Sequence, residues 1–492
     1  MGPNDSHNPT PPSVSDLEKG HHDSLPPPPP LPVSSRAVIQ TATVAGEAQS
    51  GKDEKRADLA LAQAKKDRPS PNKPKRRASR WIRFQLWFNT YRKFFLFVTS
   101  LNLTGLVLAA TNTWSYPRRY TGAFVLGNLL FAILMRNELF GRLLYLIVNT
   151  LFAKWTPLWF RLGCTSVLQH LGGIHSGCAT SGFVWLIFRV TLIFIDHKDN
   201  HDAVLIMGVI TNLAVTISIL SAFPWVRNTH HNVFERHHRF IGWIAWVFVV
   251  LGDSYDLDTH SWNPDGIRVI RQQDFWFAFG MTIFILIPWF TVREVHVDVE
   301  VPSPKVAILR FERGMQQGLL ARVSRSSIME YHAFGIISEG THAKYHYLIC
   351  GVQGDFTRSL VNDPPTHLWT RQLKFAGVSN TSTLYKRGIR VCTGTGLGAA
   401  LSTCIQSSDW RREDFGPTIS GLIHKHIGPE RMCLWDSKAR GGRPDVMKLV
   451  KDAYHEWNAE VVFITSNFAG NAEIMEGCKE AGIPSFGTLW DF

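Results

Sequence analysis

Between residues 94 and 290 the chain returns repeatedly to apolar stretches close to the length, about 20 residues, that a helix needs to cross a hydrocarbon core. Lipid offers no partner to a bare N–H or C=O, so stretches of this kind are confined to helices. Six segments qualify: 94–111, 121–135, 170–194, 203–226, 240–251 with its flanks, and 275–290. The expectation is a six-helix transmembrane bundle. The stretch 139–152 is apolar but broken by Arg142, and it reads as an interfacial or helix-extending piece. An even number of crossings returns the chain to its starting side. The charges agree: the net charge of +12 is concentrated before the first span, in Lys73-Pro-Lys-Arg-Arg77, Arg80, Arg83, Arg92 and Lys93. This is the positive-inside pattern of a lipid bilayer partner and argues for no nucleic acid. Arg227, Arg236 and Arg239 fall on the same side, Asp253, Asp256 and Asp258 opposite, with Arg118 and Arg119 dissenting. The protein is expected to be integral and multi-pass, with both termini cytosolic.

Residues 1–80 are rich in proline, serine and charge and lack the apolar surface a fold would bury, so a disordered cytosolic arm is expected. Its proline run Pro26-Pro-Pro-Pro-Pro30 is a solvated spacer or a dock for an SH3-type partner. The amino terminus lacks the apolar stretch of a cleavable signal. Seven cysteines without CxxC spacing give neither a disulfide framework nor a zinc site, and they read as reduced thiols. His170 and His175 open the third span, and His237 and His238 the fifth. Imidazoles from two facing helices are what a bis-histidine haem requires; interfacial histidines bonded to headgroups or helix ends are the other reading.

After Phe290 the pattern changes. Residues 291–301 alternate as a strand, and short strand candidates follow at 306–311, 319–323, 334–338 and 345–352, the spacing of a small antiparallel barrel. Period 2 then gives way to strand, glycine turn and helix. Strand 389–392 runs into Cys392-Thr-Gly-Thr-Gly-Leu-Gly398, in which Gly394, Gly396 and Ala399 satisfy G-x-G-x-x-[GA], with a helix expected over 399–405. Residues without bulk let backbone amides approach a pyrophosphate; a tight structural turn is the alternative. Strands at 431–435 and 460–465, with a helix at 447–457, complete an alternating α/β domain.

These residues resemble the ferric reductase and NADPH oxidase superfamily, and within it the fungal integral membrane TmpA-type flavoproteins, over residues 80–492. The motifs are Arg136-Asn137, His237-His238, Leu434-Trp-Asp-Ser-Lys-Ala-Arg-Gly-Gly-Arg-Pro-Asp445 and the ending Phe486-Gly-Thr-Leu-Trp-Asp-Phe492. The resemblance implies a ferredoxin-reductase-like module behind the bundle: an FAD-binding β-barrel over 291–385 and an NAD(P)-binding α/β domain over 386–492, after a membrane domain over 81–290. His332, Phe334 and Ser338, in the segment matching the family's His-Pro-Phe-Thr/Ser, become flavin contacts, with Ala333 and Gly335 replacing proline and the hydroxyl residue. Gly354-Asp-Phe-Thr357 resembles the family's Gly-Asp-Trp-Thr, which adds Thr357. Gly394, Thr395, Gly396 and Gly398 would cradle the NAD(P)H pyrophosphate, Gly442, Arg443 and Pro444 would contact the nucleotide, and Phe492 would stack on the isoalloxazine. Arg440 or Arg443 could meet a 2'-phosphate.

Two departures narrow the expectation. The family's deeper histidine pair would fall at Val184 and Leu251, so at most one haem is expected, with His175 and His238 as its iron ligands. Residues 407–414 carry no apolar run where the family has its second strand, which reads as a missing strand. The leading expectation is a membrane-bound oxidoreductase passing electrons from NAD(P)H through FAD to a small-molecule acceptor at the cytosolic face, with no catalytic acid or base assigned. The alternatives are a nucleotide-binding membrane signalling protein without turnover, and a transmembrane metalloreductase or superoxide-generating oxidase.

Overall fold

The computed structural model describes residues 78–198, 200–223, 225–226, 255–256, 261–262, 266–328, 330–406, 410–411, 422–423, 425–433, 435 and 442–488. Residues 1–77 of the expected arm, with its proline run, and the fifth expected span therefore lie outside the described residues. After a short helix α1 (Arg80–Trp87) come α2 (Thr90–Ala110), α3 (Thr121–Arg136), α4 (Glu138–Phe152), α5 (Leu158–Gln169), α6 (Leu171–Ile195), α7 (Asp202–Ser221) and α8 (Gln273–Phe290). Among the described residues four of these, α2, α6, α7 and α8, are each long and apolar enough to cross a membrane. The second expected span is different: α3 and α4 pass that test only together, and they are bent by 68° at their junction.

Helix α6 is the hub, packing against α2, α3 and α7. Its glycines allow this. A Cβ at Gly173 would sit 2.2 Å from the Tyr91 carbonyl oxygen, and one at Gly177 2.9 Å from Val98 Cβ, so α2 lies directly on the α6 backbone. Several polar groups inside the bundle are paired across helices. Asn102 Oδ1 accepts from Asn128 Nδ2 at 2.8 Å and Trp185 Nε1 at 3.0 Å, tying α2, α3 and α6 together, and Arg189 meets Asp274 at 3.2 Å.

The bend between α3 and α4 has a chemical cause. Asn137 leaves the helical region (φ −73°, ψ 126°), and its Oδ1 caps α4 by accepting from Leu139 and Phe140 N–H at 3.0 Å. Its Nδ2 donates to the Phe284 carbonyl of α8 at 2.7 Å. Helix α4 then runs out as a shelf, with Leu143, Leu146, Ile147 and Leu151 outward and Glu138 and Tyr145 buried, and with α5 it packs against the segment Val378–Leu384 of the following module.

That module begins with β1 (Val292–His296), β2 (Asp298–Ser303), β3 (Val306–Glu312), β4 (Leu319–Ser324), β5 (His332–Ile337), β6 (Tyr345–Gly351), helix α9 (Asp355–Asn362) and β7 (His367–Arg371). The antiparallel order is β1-β7-β4-β5-β6-β3-β2, with Phe375–Ala376 pairing to β4. The two edge strands are consecutive and separated only by Val297, so the sheet curls until its edges meet at one corner. The single strand expected over 291–301 is thus two. Alternation sorts the faces: Ala307, Leu309 and Phe311 enter the barrel core, while Ile308 between them faces the next domain.

A parallel sheet follows: β8 (Gly388–Cys392), β9 (Trp410–Arg411), β10 (Val461–Thr465) and β11 (Ser485–Gly487), ordered β9-β8-β10-β11. Val461 and Phe463 of β10 face the barrel side, and Val462 and Ile464 face the helices α11 (Val446–Glu456) and α12 (Phe468–Glu480), with α10 (Leu401–Gln406) after β8. Two expectations are corrected. The strand thought missing near 407–414 is present as the two-residue β9, parallel to β8. The strand expected at 431–435 is a 3₁₀ turn, Pro429–Arg431, followed by an isolated bridge at Met432.

Candidate functional site

In parallel α/β sheets, ligands bind beyond the carboxyl ends of the strands. Here the ends of β8 and β10 are side by side, with Cys392 paired to Thr465. Thr393 and Ser466 leave these strands and share a hydroxyl–hydroxyl hydrogen bond of 2.6 Å. Asn467 caps α12 by accepting from Gly470 N–H at 2.9 Å. Thr393 and Ser466 were not among the expected site residues; the signal available in sequence was a hydroxyl residue immediately after each buried parallel strand.

The glycine turn is a 3₁₀ segment, Gly394–Ala399, rather than the start of a regular helix. Its glycines do different work. Gly394 has φ +56°, is exposed, and a Cβ there would meet nothing within 4 Å. Gly396 is pressed on the sheet, where a Cβ would lie 2.5 Å from the Thr465 carbonyl oxygen. Gly398 is buried against the barrel. There a Cβ at Gly335 of β5 would lie 2.4 Å from Ala399 Cα and N, and one at Gly351 of β6 would lie 2.7 Å from Thr395 Cγ2. Barrel strand and glycine turn are therefore in backbone contact, with Gly396 tightly packed and Gly398 buried, which leaves Gly394 and exposed Thr393 facing outward.

On β5 the flavin candidates separate. His332 stacks on Phe356 at 4.1 Å and 18°, and Phe334 lies 6.3 Å from the same ring at 28°. These three half-buried rings form an aromatic ledge, His332 and Phe334 from β5 and Phe356 from α9, on the barrel-core side of the strand, the face opposite Gly335. Phe356 stood inside the Gly354–Thr357 motif without being singled out. Ser338 does not belong to the ledge. It is 1% exposed, and its hydroxyl accepts from Met315 N–H at 3.0 Å and donates to the Gly340 carbonyl at 3.1 Å. Thr357 is likewise spent: its hydroxyl accepts from Gln353 and Gly354 N–H at 3.0 and 3.1 Å, closing the first turn of α9. Both hydroxyls expected to contact flavin are thus bonded to backbone groups of the barrel module.

Gly442, Arg443 and Pro444 lead into α11, with the Gly442 carbonyl accepting from Trp435 Nε1 at 2.9 Å and Asp445 capping the helix through Lys448 N–H at 3.0 Å. Phe492, Arg440 and His238 lie outside the described residues. His175 places Nδ1 2.8 Å from the Ala132 carbonyl oxygen, the kind of contact that fixes an imidazole's tautomer and orientation. Among the described residues no cluster of three or more His, Cys, Asp or Glu is arranged to hold a metal ion.

The site is held to the helical half by two seams. At the barrel seam Glu138 of α4, with its side chain 7% exposed, pairs with Arg322 and, at 3.0 Å, with Arg371. Lys374 sits in the same place, donating to Thr370 Oγ1 and the Arg371 carbonyl at 2.7 Å each. Burial lowers the Lys374 ammonium to about 8 despite the pull of Glu138. At the sheet seam Arg161 of α5, 4% exposed in its side chain, grips Glu460 through two hydrogen bonds of 2.7 and 2.8 Å. Partial burial pushes the Glu460 carboxyl up, but Arg161 and the Lys386 N–H outweigh it and hold the carboxyl below its ordinary value. The Tyr385 and Thr165 hydroxyls are bonded at 2.7 Å, and Gln169 Nε2 donates to the Gly487 carbonyl at 2.6 Å.

Residues 378–492 match the family profile described as the C-terminal domain of adenylate-forming reductase 03009. Adenylate-forming reductase 06235 of Coprinopsis cinerea is 32% identical over 441 residues, covering 86% of this chain and 42% of that protein. Adenylate-forming reductase 03009 of the same fungus is 30% identical over 443 residues, with the same two shares. The chain thus spans less than half the length of these curated relatives. Among solved structures, a flavohemoglobin from Malassezia yamatoensis with bound FAD and heme aligns over 75% of this chain and 98% of its own, at 14% identity and a TM-score of 0.36. Phthalate dioxygenase reductase aligns over 40% of this chain and 67% of its own, at 11% identity and a TM-score of 0.31.

Proposed function

We propose that the chain is a membrane-embedded reductase module that takes hydride from NAD(P)H onto FAD and delivers electrons to a small acceptor at the cytosolic face, in the manner of the TmpA-type members of the ferric reductase superfamily. The observation that carries this reading is the backbone contact between Gly335 on the aromatic strand β5 and Ala399 of the glycine turn. A flavin-binding barrel and a nucleotide turn must adjoin for the two rings to meet, and Gly335 of β5 and Gly351 of β6 let barrel and turn adjoin. FAD, when bound, supplies the conversion of a hydride into transferable electrons. The residues do the holding: His332, Phe334 and Phe356 offer stacking faces, Gly394 lets the backbone approach a phosphate, and the Thr393 and Ser466 hydroxyls stand where the nicotinamide half would arrive. Four apolar helices support membrane residence by length and composition. The relatives' name supports reductase chemistry for the part of them this chain matches.

The test is an anaerobic titration of the full chain, purified in detergent, with NADPH and NADH separately. Flavin that co-purifies and bleaches within the titration supports the reading; purification without flavin under conditions that keep the chain folded sinks it. One observation favours a second reading. Because Gly396 and Gly398 are occupied by packing, the turn could hold nucleotide without turnover in a regulatory module. Bound flavin that neither nucleotide bleaches would select that reading.

A further inference from the structure

Helix α1 is turned inside out for a helix in water. Arg80, Trp81, Arg83, Phe84 and Trp87 are all exposed, the three aromatics at 63%, 48% and 55%, whereas Ile82, Gln85 and Leu86 are half-buried. At about 100° per residue the exposed five fall on one contiguous face and the other three on the opposite one. The inward face is already taken, since α1 packs against α12. The outward face is an ordered surface: Trp81 and Phe84 stack at 5.7 Å, and Arg92 lies over the Trp87 ring at 4.7 Å. Ser79 caps the helix by accepting from Ile82 N–H at 3.2 Å. Two features name the occupant. Large aromatics interleaved with arginines are what a headgroup layer accommodates, with rings at the acyl boundary and guanidinium groups at the phosphates. The face is also continuous with a lipid-facing one, because α2 starts at Thr90 and exposes Leu96, Phe97 and Leu101.

We propose that α1 is an interfacial helix that binds the anionic lipid surface of the membrane in which α2 is embedded, with Trp81, Phe84 and Trp87 inserted and Arg80 and Arg83 on lipid phosphates. This rests on the membrane reading of the helical half. Since α12 carries the other face of α1, the lipid surface and the nucleotide-binding sheet are in contact with the same eight-residue helix.

The experiment uses the full chain in nanodiscs of phosphatidylcholine, or of phosphatidylcholine with phosphatidylserine, and follows amide hydrogen exchange across residues 80–87. Phosphatidylserine should slow exchange there by about tenfold, and the exposed pair Arg80→Gln with Arg83→Gln should abolish that difference. Trp81→Ala with Trp87→Ala should remove the protection in both lipids. Equal exchange in the two lipids for the unsubstituted chain overturns the proposal. Alkaline carbonate extraction separates the two readings: release of the chain sinks the membrane reading, and retention without lipid dependence of α1 sinks only this inference.

Discussion

The two seams that join the soluble lobes to the helical shelf have opposite polarity. At the barrel the helical half supplies the carboxylate, Glu138, and the sheet supplies the cations Arg322 and Arg371. At the parallel sheet the helical half supplies the cation, Arg161, and the sheet the carboxylate, Glu460. Interchanging the lobes would set Glu138 against Glu460 and Arg161 against the barrel arginines, so the pattern selects one docking by repulsion as well as attraction. The seams differ in balance too. The sheet seam is a one-to-one bidentate pair, whereas at the barrel seam Lys374 joins the two arginines around Glu138.

That asymmetry orders the expected effects. Glu138→Ala should be the most damaging single change, costing about 4 kcal/mol, because it leaves partly buried cations facing one another. Thermal unfolding of the detergent-solubilised chain would show it, and a loss no larger than that of an exposed substitution such as Asp355→Ala would break the comparison. Arg161→Ala should cost about 3 kcal/mol through the stranded Glu460, and the reversed pair Arg161→Glu with Glu460→Arg should recover part of it. Absence of any recovery would mean that packing, not charge, holds the sheet seam.

The barrel seam should respond to alkaline pH through Lys374. The Lys374 value is about 8 in the fold against 10.5 unfolded, so the unfolded chain binds more protons between those values and stability rises with pH across that window. The gain is about 2 kcal/mol once screening is allowed for, and it should vanish in Lys374→Met. Buried thiols such as Cys350, pushed up by burial, slope the other way, so the ammonium's share is the difference between the two profiles, and no difference from pH 8 to 10 would place the ammonium in water. The smallest effect distinguishes the glycines. Gly394→Ala forces a side chain into φ +56° but meets no neighbour, costing about 1 kcal/mol. It should weaken nucleotide binding while leaving the barrel contact intact. Gly396→Ala meets the Thr465 carbonyl and should loosen the fold first, so isothermal titration with NADPH beside a melting curve tells them apart.

The barrel was largely legible because period-2 alternation is local: the strand expected at 319–323 is Leu319–Ser324, and that at 345–352 is Tyr345–Gly351. The corner at Val297 was not, since alternation runs unbroken through Val295, Val297 and Val299. Nor was the turn at 429–432, where an apolar run resembles a strand but only Met432, among the described residues, forms a bridge. Around the turn, Gly394 was legible from the motif spacing, and His332 and Phe334 were singled out only through the family resemblance. The spending of the Ser338 and Thr357 hydroxyls on backbone groups was not legible. Both seams were invisible for a simpler reason: Glu138 and Arg322 are 184 residues apart, and Arg161 and Glu460 are 299.

The 68° turn at Asn137 makes α4 a lever arm. Its 15 residues span about 22 Å, so a rotation of about 5° at the elbow carries the far end through about 2 Å. One amide side chain sets that elbow, with its oxygen on α4 and its nitrogen on α8. A shift of the Phe284 carbonyl would therefore be carried along α4 into its contacts with the following module, Glu138 with Arg322 and Arg371 near the elbow and Asn149 with Asn380 farther out.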